Sequence, residues 1–333
     1  MRSHRSTALF AVLITTVPLI VAATAWLGPR WIAPREIIGD SAGAYVFWHH
    51  RVPRCLLAAC AGAGLAVSGV VLQALFRNPL AEPYTLGVAS GASLAAAIGF
   101  FAGWHGAAPA GVPLLSLLAF GGALGALALV FLMSRLRRER DMARLLLAGV
   151  CVAYLCAAGI LLVTFLADRA ITNDILVWTM GSLGVLRPRA ALEIAVVLVP
   201  VTGLVVLGRR ALDLLTLGDD LAASRGLNVG RTAGFYTVLV GLLTAVIVAN
   251  CGPIGFVGLM VPHMGRALLG GRTLPLTIGS ALLGAAFLAV CDGLARSLPV
   301  TELPVGVVTN MLGAVFFFLV LATRDVLPAH RPS

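Results

Sequence analysis

Gly208–Arg231 reads GRRALDLLTLGDDLAASRGLNVGR, a polar stretch between two long apolar runs. Gly218 breaks it and Gly226 stops it, so it reads as two short helical turns, Asp213–Leu217 and Asp219–Arg225. Asp219 and Asp220 stand where the positive end of a helix favours acidic groups, and Arg225 stands at the opposite end. In a chain that is otherwise apolar, such an island is either a solvated connector or an element that docks a soluble partner and moves with it.

The flanks set the fold class. The chain has 333 residues, 59% of them hydrophobic and 11% charged, a balance of a membrane protein and not of a soluble core. Crossing a bilayer takes about 20 mainly apolar residues. Runs of that kind fall at 8–27, 53–76, 84–103, 112–134, 143–167, 190–208, 232–250, 253–269, 274–295 and 304–323. The expectation is an all-α polytopic membrane protein, one transmembrane domain over 1–333, with about ten spans and both termini on one side. The run 84–103 begins at a polar motif, and 253–269 is interrupted by Pro262 and His263. The N-terminus imitates a secretory signal, with a basic start and small residues at 22–25, but its long apolar run and the nine that follow favour a retained span.

The net charge is +10, and all 24 basic residues are arginine. With the N-terminus in the cytoplasm, only Arg30, Arg35, Arg51, Arg54, Arg169, Arg187, Arg189 and Arg296 lie outside, which satisfies the positive-inside rule. This orientation puts the 208–231 island and the hairpin SRLRRERDMAR (134–144) in the cytoplasm. The basic pI is thus a topology signal. Nucleic acid is not an expected partner, because no basic patch is interleaved with exposed aromatics.

The six cysteines lie in or beside apolar spans without C-x-x-C spacing, so they read as small buried residues. His49 and His50 are adjacent and share no helix face, so they read as an interfacial pair; His263 reads as a hydrogen-bonded structural residue. No metal site and no cofactor is expected. No phosphate-binding G-x-x-x-x-G-K-[ST] loop occurs, so this chain does not hydrolyse a nucleotide itself.

Span 2 is dense in small residues from Ala61 to Gly69 and ends in RNPLAEPYTLG (77–87), a turn with two prolines. Small residues of spans 2, 3, 5 and 8, Ala66 and Ser93 among them, are expected to line a path for a bulky cargo. The stretch GPIGFVGLMVPHMGR (252–266) predicts a broken or kinked helix, and Ile171–Met180 a short external helix. Arg51 and Arg54 flank Pro53 at an outer span mouth, and Asp292 and Arg296 can pair at i,i+4. Spans 2–5 and 7–10 form two four-span blocks of opposite starting side, the pattern of inverted repeats.

The strings RVPR (51–54), GLAVSGVVLQALFRNPLAEPYTLGVASGAS (64–93), ARLLLAGV (143–150), LTLGDDLAASRGLNV (215–229), GPIGFVGLMVPH (252–263) and ELPVGVVTNMLGA (302–314) resemble the permease subunits of bacterial iron-chelate and cobalamin ABC importers, the FecCD type. The resemblance implies a cobalamin-permease-like fold in the bacterial inner membrane. It implies a homodimer of ten-span subunits surrounded by membrane lipid, two ABC ATPase subunits below, a periplasmic substrate-binding protein above and a path between the two permease chains. It assigns ATPase coupling to the island (213–227), through Leu217, Gly218, Asp219, Asp220, Ala222, Ala223 and Gly226. It assigns binding-protein docking to Arg51, Arg54 and Arg296, and a cytoplasmic gate to Asn78, Leu80, Met142 and Ala143. A ferric siderophore is the expected cargo, ahead of haem or cobalamin. The competing class is an ion-coupled secondary transporter, for which few buried ionisable groups, Asp292 and His263, are available.

Overall fold

The apolar runs fold as helices because lipid offers no partner to an open backbone N–H or C=O. In the computed structural model, residues 2–30, 32–39, 41–104, 112–135, 142–184, 187, 189–297 and 302–322 are described, with side chains from residue 10 onward except those of 135, 142 and 143. The helices are α1 (Arg2–Thr24), α2 (Ala42–Val46), α3 (Val52–Leu75), α4 (Val88–Phe101), α5 (Leu114–Arg135), α6 (Met142–Leu166), α7 (Arg169–Thr179), α8 (Ala190–Leu207), α9 (Arg209–Thr216), α10 (Asp219–Ser224), α11 (Val229–Cys251), α12 (Val257–Leu269), α13 (Thr273–Ser297) and α14 (Val305–Ala322). The central part of the Arg-dense hairpin, 136–141, and the arginines beyond 322 lie outside the described residues.

Among the described residues seven helical stretches are long and apolar enough to cross a membrane: Ala42–Leu75, Leu114–Ser134, Arg144–Leu166, Ala190–Leu207, Val229–Cys251, Thr273–Ser297 and Val305–Ala322. The other three expected spans are shorter helices. Phe10–Thr24 is an apolar piece of α1. Helices α4 and α12 have 14 and 13 residues, only about 21 and 20 Å long against a hydrocarbon layer of about 30 Å. Both are shorter than the runs 84–103 and 253–269 because the chain enters them through segments that are not α-helical, 76–87, with a 3-10 turn at Pro83–Leu86, and 252–256.

Those two lead-ins explain how the short helices are tolerated. Tyr84 Oη accepts the backbone N–H of Ile254, and the Glu82 carboxylate accepts that of Phe256. Gln73, near the end of α3, donates to the carbonyls of Gly258 and Leu259 at the start of α12. Backbone groups freed by the breaks are therefore satisfied by protein, as a bilayer requires. The expected kink at 252–266 is a true interruption, with Phe256 at φ 65° before the helix resumes.

The packing has the internal symmetry anticipated from the sequence. If α3, α4, α5 and α6 are matched to α11, α12, α13 and α14, each contact in one block has its counterpart in the other: α4 with α5 and α12 with α13, α4 with α6 and α12 with α14, α5 with α6 and α13 with α14. Across the blocks, α3 on α13 matches α11 on α5, and α4 on α11 matches α12 on α3. The extensive α3–α13 crossing depends on glycine: a Cβ on Gly62 would collide with the Gly284 carbonyl, and one on Gly284 with that of Gly62. Such close backbone approach is how helices associate where no hydrophobic effect drives them together. Helix α1 lies against α13 as part of the bundle.

Candidate functional site

Helix α13 has one end at the 208–231 island and the other beside Arg54, so the candidate residues gather at two opposite ends of the bundle. At the island end, α9 begins at Arg209, earlier than the expected Asp213, because Gly208 caps α8 and the next turn already carries Leu212 and Leu215 into the core. Gly218 at φ 122° turns the chain into α10, and Gly226 at φ 80° releases it; both conformations suit a residue without Cβ. Leu217 and Leu221 remain 64% and 56% exposed on this polar knob, next to exposed Asp220 and Ala223. Ala222 is a correction to the expected coupling surface: it is fully buried, facing inward from α10.

The turn after α3 is held to the knob. Arg77 Nη2 lies 3.4 Å from Asp219 Oδ1, with Arg77 itself at φ 48°. Asn78 Oδ1 accepts the N–H of Leu80 at 2.9 Å, closing an Asx turn that leaves Leu80 exposed. Two of the four expected gate residues are therefore adjacent to the island. Met142 opens α6, and its side chain and that of Ala143 lie outside the described residues.

Sequence reasoning missed two features here. Asp213 Oδ1 accepts both the backbone N–H of Thr273 at 2.9 Å and its hydroxyl at 2.5 Å, tying α9 to the first residue of α13. Arg266 donates to Gln73, joining α12 to α3. Neither pair is near in sequence, so no local pattern announces it.

At the opposite end Arg51, Arg54 and Arg296 are turned inward, only 7%, 8% and 4% exposed. Arg54 Nε donates to Asp292 Oδ1 at 2.9 Å and its Nη1 to Glu302 Oε2 at 2.8 Å. Arg296 Nε sits 3.0 Å from Asp292 Oδ2, and its Nη2 reaches the Thr24 carbonyl at 3.3 Å. Arg51 donates to the carbonyls of Trp26 at 3.1 Å and Arg30 at 2.6 Å. The i,i+4 pair expected of Asp292 and Arg296 forms, and the three arginines belong to a network that binds α1, α3, α13 and the approach to α14. Among its ionic members Glu302 alone faces outward, 57% exposed.

The expected path residues Ala66 and Ser93 are also buried; the Ala66 Cβ packs beside Gly284. Large apolar side chains instead stand exposed along α6 (Leu147, Tyr154, Leu161, Phe165) and its symmetry counterpart α14 (Met311, Val315, Phe318). Helix α7 forms where a short external helix was expected, capped by Asp168 Oδ1 on the Ile171 N–H at 2.9 Å. His49 stacks on Tyr45 at 4.6 Å, and His263 meets the Phe316 and Phe317 rings edge-on at 5.9 Å. No cluster of three or more His, Cys, Asp or Glu forms a metal site among the described residues. A cavity of about 450 Å³ between α5, α8 and α11 is lined mainly by apolar groups.

The model of the FecCD transport family matches residues 10–323. The chain is 38% identical to the hemin transport system permease protein HmuU of Yersinia pestis, over 84% of this chain and 84% of that protein. It is 40% identical to the Fe(3+) dicitrate transport system permease protein FecD of Escherichia coli, over 83% and 85%. Among solved structures, a metal-chelate type ABC transporter in an inward-facing conformation superposes with a TM-score of 0.84 at 31% identity, covering 94% of this chain and 99% of that one.

Proposed function

This chain belongs to the FecCD transport family and is an ABC importer permease, and from that premise we propose that it carries an intact iron chelate, a ferric siderophore ahead of haem or cobalamin, from periplasm to cytoplasm across a bacterial inner membrane. Relatives named for hemin and for ferric dicitrate support a chelate of iron as the cargo class. The chain works as a homodimer, with ATP hydrolysed by two separate ATPase subunits and cargo delivered by a periplasmic binding protein. Both termini and the island lie in the cytoplasm.

The observation that carries the reading is the knob itself. Two leucines stand exposed on a polar element outside the spans, where lipid cannot cover them. A cleft in an ATPase would cover them, with Leu217, Asp220, Leu221 and Ala223 as contacts and Gly218 and Gly226 setting the shape. The uncovered faces of α6 and α14 are then available to lipid, to the second copy and to the path between copies, with Asn78, Leu80, Met142 and Ala143 at its inner end.

Docking at the outer end works by exchange. Arg54 is already satisfied by Glu302, so an acidic side chain of the binding protein engages it by replacing that half-exposed carboxylate, while Arg51 and Arg296 hold the mouth in shape. The test is reconstitution with the ATPase and binding protein and separate uptake assays with ferric siderophores, haem and cobalamin. ATP-dependent accumulation of an iron chelate supports the reading. Accumulation of cobalamin alone would reassign the cargo, and none of the three would defeat the proposal.

A further inference from the structure

We infer that α13 is the rod connecting the two ends of the permease, and that Asp213 is the positioning residue that joins it to the coupling knob. The inference rests on the importer reading above and assigns a role to a residue of the island that is not among its expected coupling contacts.

The geometry is specific. The first N–H groups of a helix have no acceptor within the helix, and its N-terminus carries partial positive charge. A cap normally comes from the residue just before the helix. Here the acceptor for Thr273 N–H is a carboxylate on α9, far away in sequence, and the same oxygen also accepts a hydrogen bond from the Thr273 hydroxyl. The cap is therefore a joint between two elements. Helix α9 is firmly seated, with Leu212 and Leu215 buried, so displacement of the knob is passed to the start of α13.

At the other end the same helix carries Asp292 and Arg296, which hold Arg54 and the Thr24 carbonyl. Its 25 residues span about 37 Å without a proline after its third residue. Midway it is locked to α3 through the Gly62–Gly284 crossing. A change at Arg54 and a change at the knob thus bear on one rigid element. The second link from the knob, Arg77 to Asp219, is exposed on both sides and weak for that reason. Asp213 is the stronger joint.

The test uses the full complex of permease, ATPase and binding protein in nanodiscs. The readout is the ratio of ATPase rate with cargo-loaded binding protein to the rate without it. Asp213→Ala lowers this ratio by about five-fold or more, the lower range of ordinary coupling between sites, while the amount of assembled complex and the unstimulated rate stay near wild type. Thr273→Ser, which keeps both donors, retains the wild-type ratio; Thr273→Val, which keeps only the N–H, gives an intermediate one. Binding at the two ends is linked through the same helix, so the effect of ATP on binding-protein affinity also shrinks in Asp213→Ala. A wild-type ratio in assembled Asp213→Ala overturns the inference. Should that variant fail to assemble, Thr273→Val decides, and an unchanged ratio there overturns it equally. No stimulation in the wild-type complex would defeat the importer reading first.

Discussion

Replacing Asp292 with alanine should be among the most damaging single changes at the Arg54 end of the bundle. Its carboxylate is fully buried, 2.9 Å from Arg54 Nε and 3.0 Å from Arg296 Nε. Two unit charges 3 Å apart attract by about 5.5 kcal/mol at an effective dielectric of 20, and desolvation offsets much of that. Losing one partner of a buried pair costs about 3–5 kcal/mol because the remaining charge is stranded. Arg54 keeps the half-exposed Glu302, but Arg296 is left with uncharged partners, the backbone carbonyls of Thr24 and of residue 292 and the Cys55 sulfur. Glu302→Gln removes a half-exposed partner and should cost below about 1 kcal/mol. Replacing Arg54, Asp292 and Arg296 together by apolar residues of similar size should cost less than Asp292→Ala alone, since the one charge that loses its partner, Glu302, is half-exposed to solvent. Unfolding of the purified permease in mixed micelles by SDS titration measures all three. Equal midpoints for Asp292→Ala and Glu302→Gln would refute the claim that this carboxylate neutralises the mouth.

Other consequences can be checked singly. Gly284→Leu should prevent close approach of α3 and α13 and shift the detergent-solubilised protein from a monodisperse to an aggregated size-exclusion profile. Ala223→Arg should leave a folded permease whose binding-protein-stimulated ATPase activity is lost, whereas Ala222→Arg should fail to fold; the reverse order would mean that the exposed side of α10 has been misassigned. Glu302→Gln should tighten binding-protein affinity measured at low salt, because the internal competitor for Arg54 has lost its charge. Weaker or unchanged affinity would remove Arg54 from the docking site.

Much of the fold could be read from composition and period. Apolar runs gave the long helices because length and hydropathy are local properties. The island was legible for the same reason: Gly218 and Gly226 punctuate it whatever it touches. The short helices α4 and α12 were read as longer because an apolar lead-in such as Pro253-Ile254-Gly255 looks like more helix until its partner, Tyr84, is in view. Arg51, Arg54 and Arg296 were the least legible. Arg54 and Glu302 lie far apart in the chain, and an arginine at a span mouth has the same local sequence whether it faces water or a buried carboxylate. Asp213 escaped notice for a similar reason, since capping patterns are sought immediately before a helix and not on a neighbouring one. Ala66 and Ser93 were small because helices pack closely there, which small residues at a cargo path would have imitated.

The central claim is best tested in proteoliposomes holding the permease with its ATPase, and with cargo-loaded binding protein on the opposite side. The account predicts that radiolabelled iron chelate accumulates only when ATP and binding protein are both present, and that a proton or sodium gradient without ATP produces none. Accumulation driven by an ion gradient in the absence of ATP would contradict it and make the chain a secondary transporter.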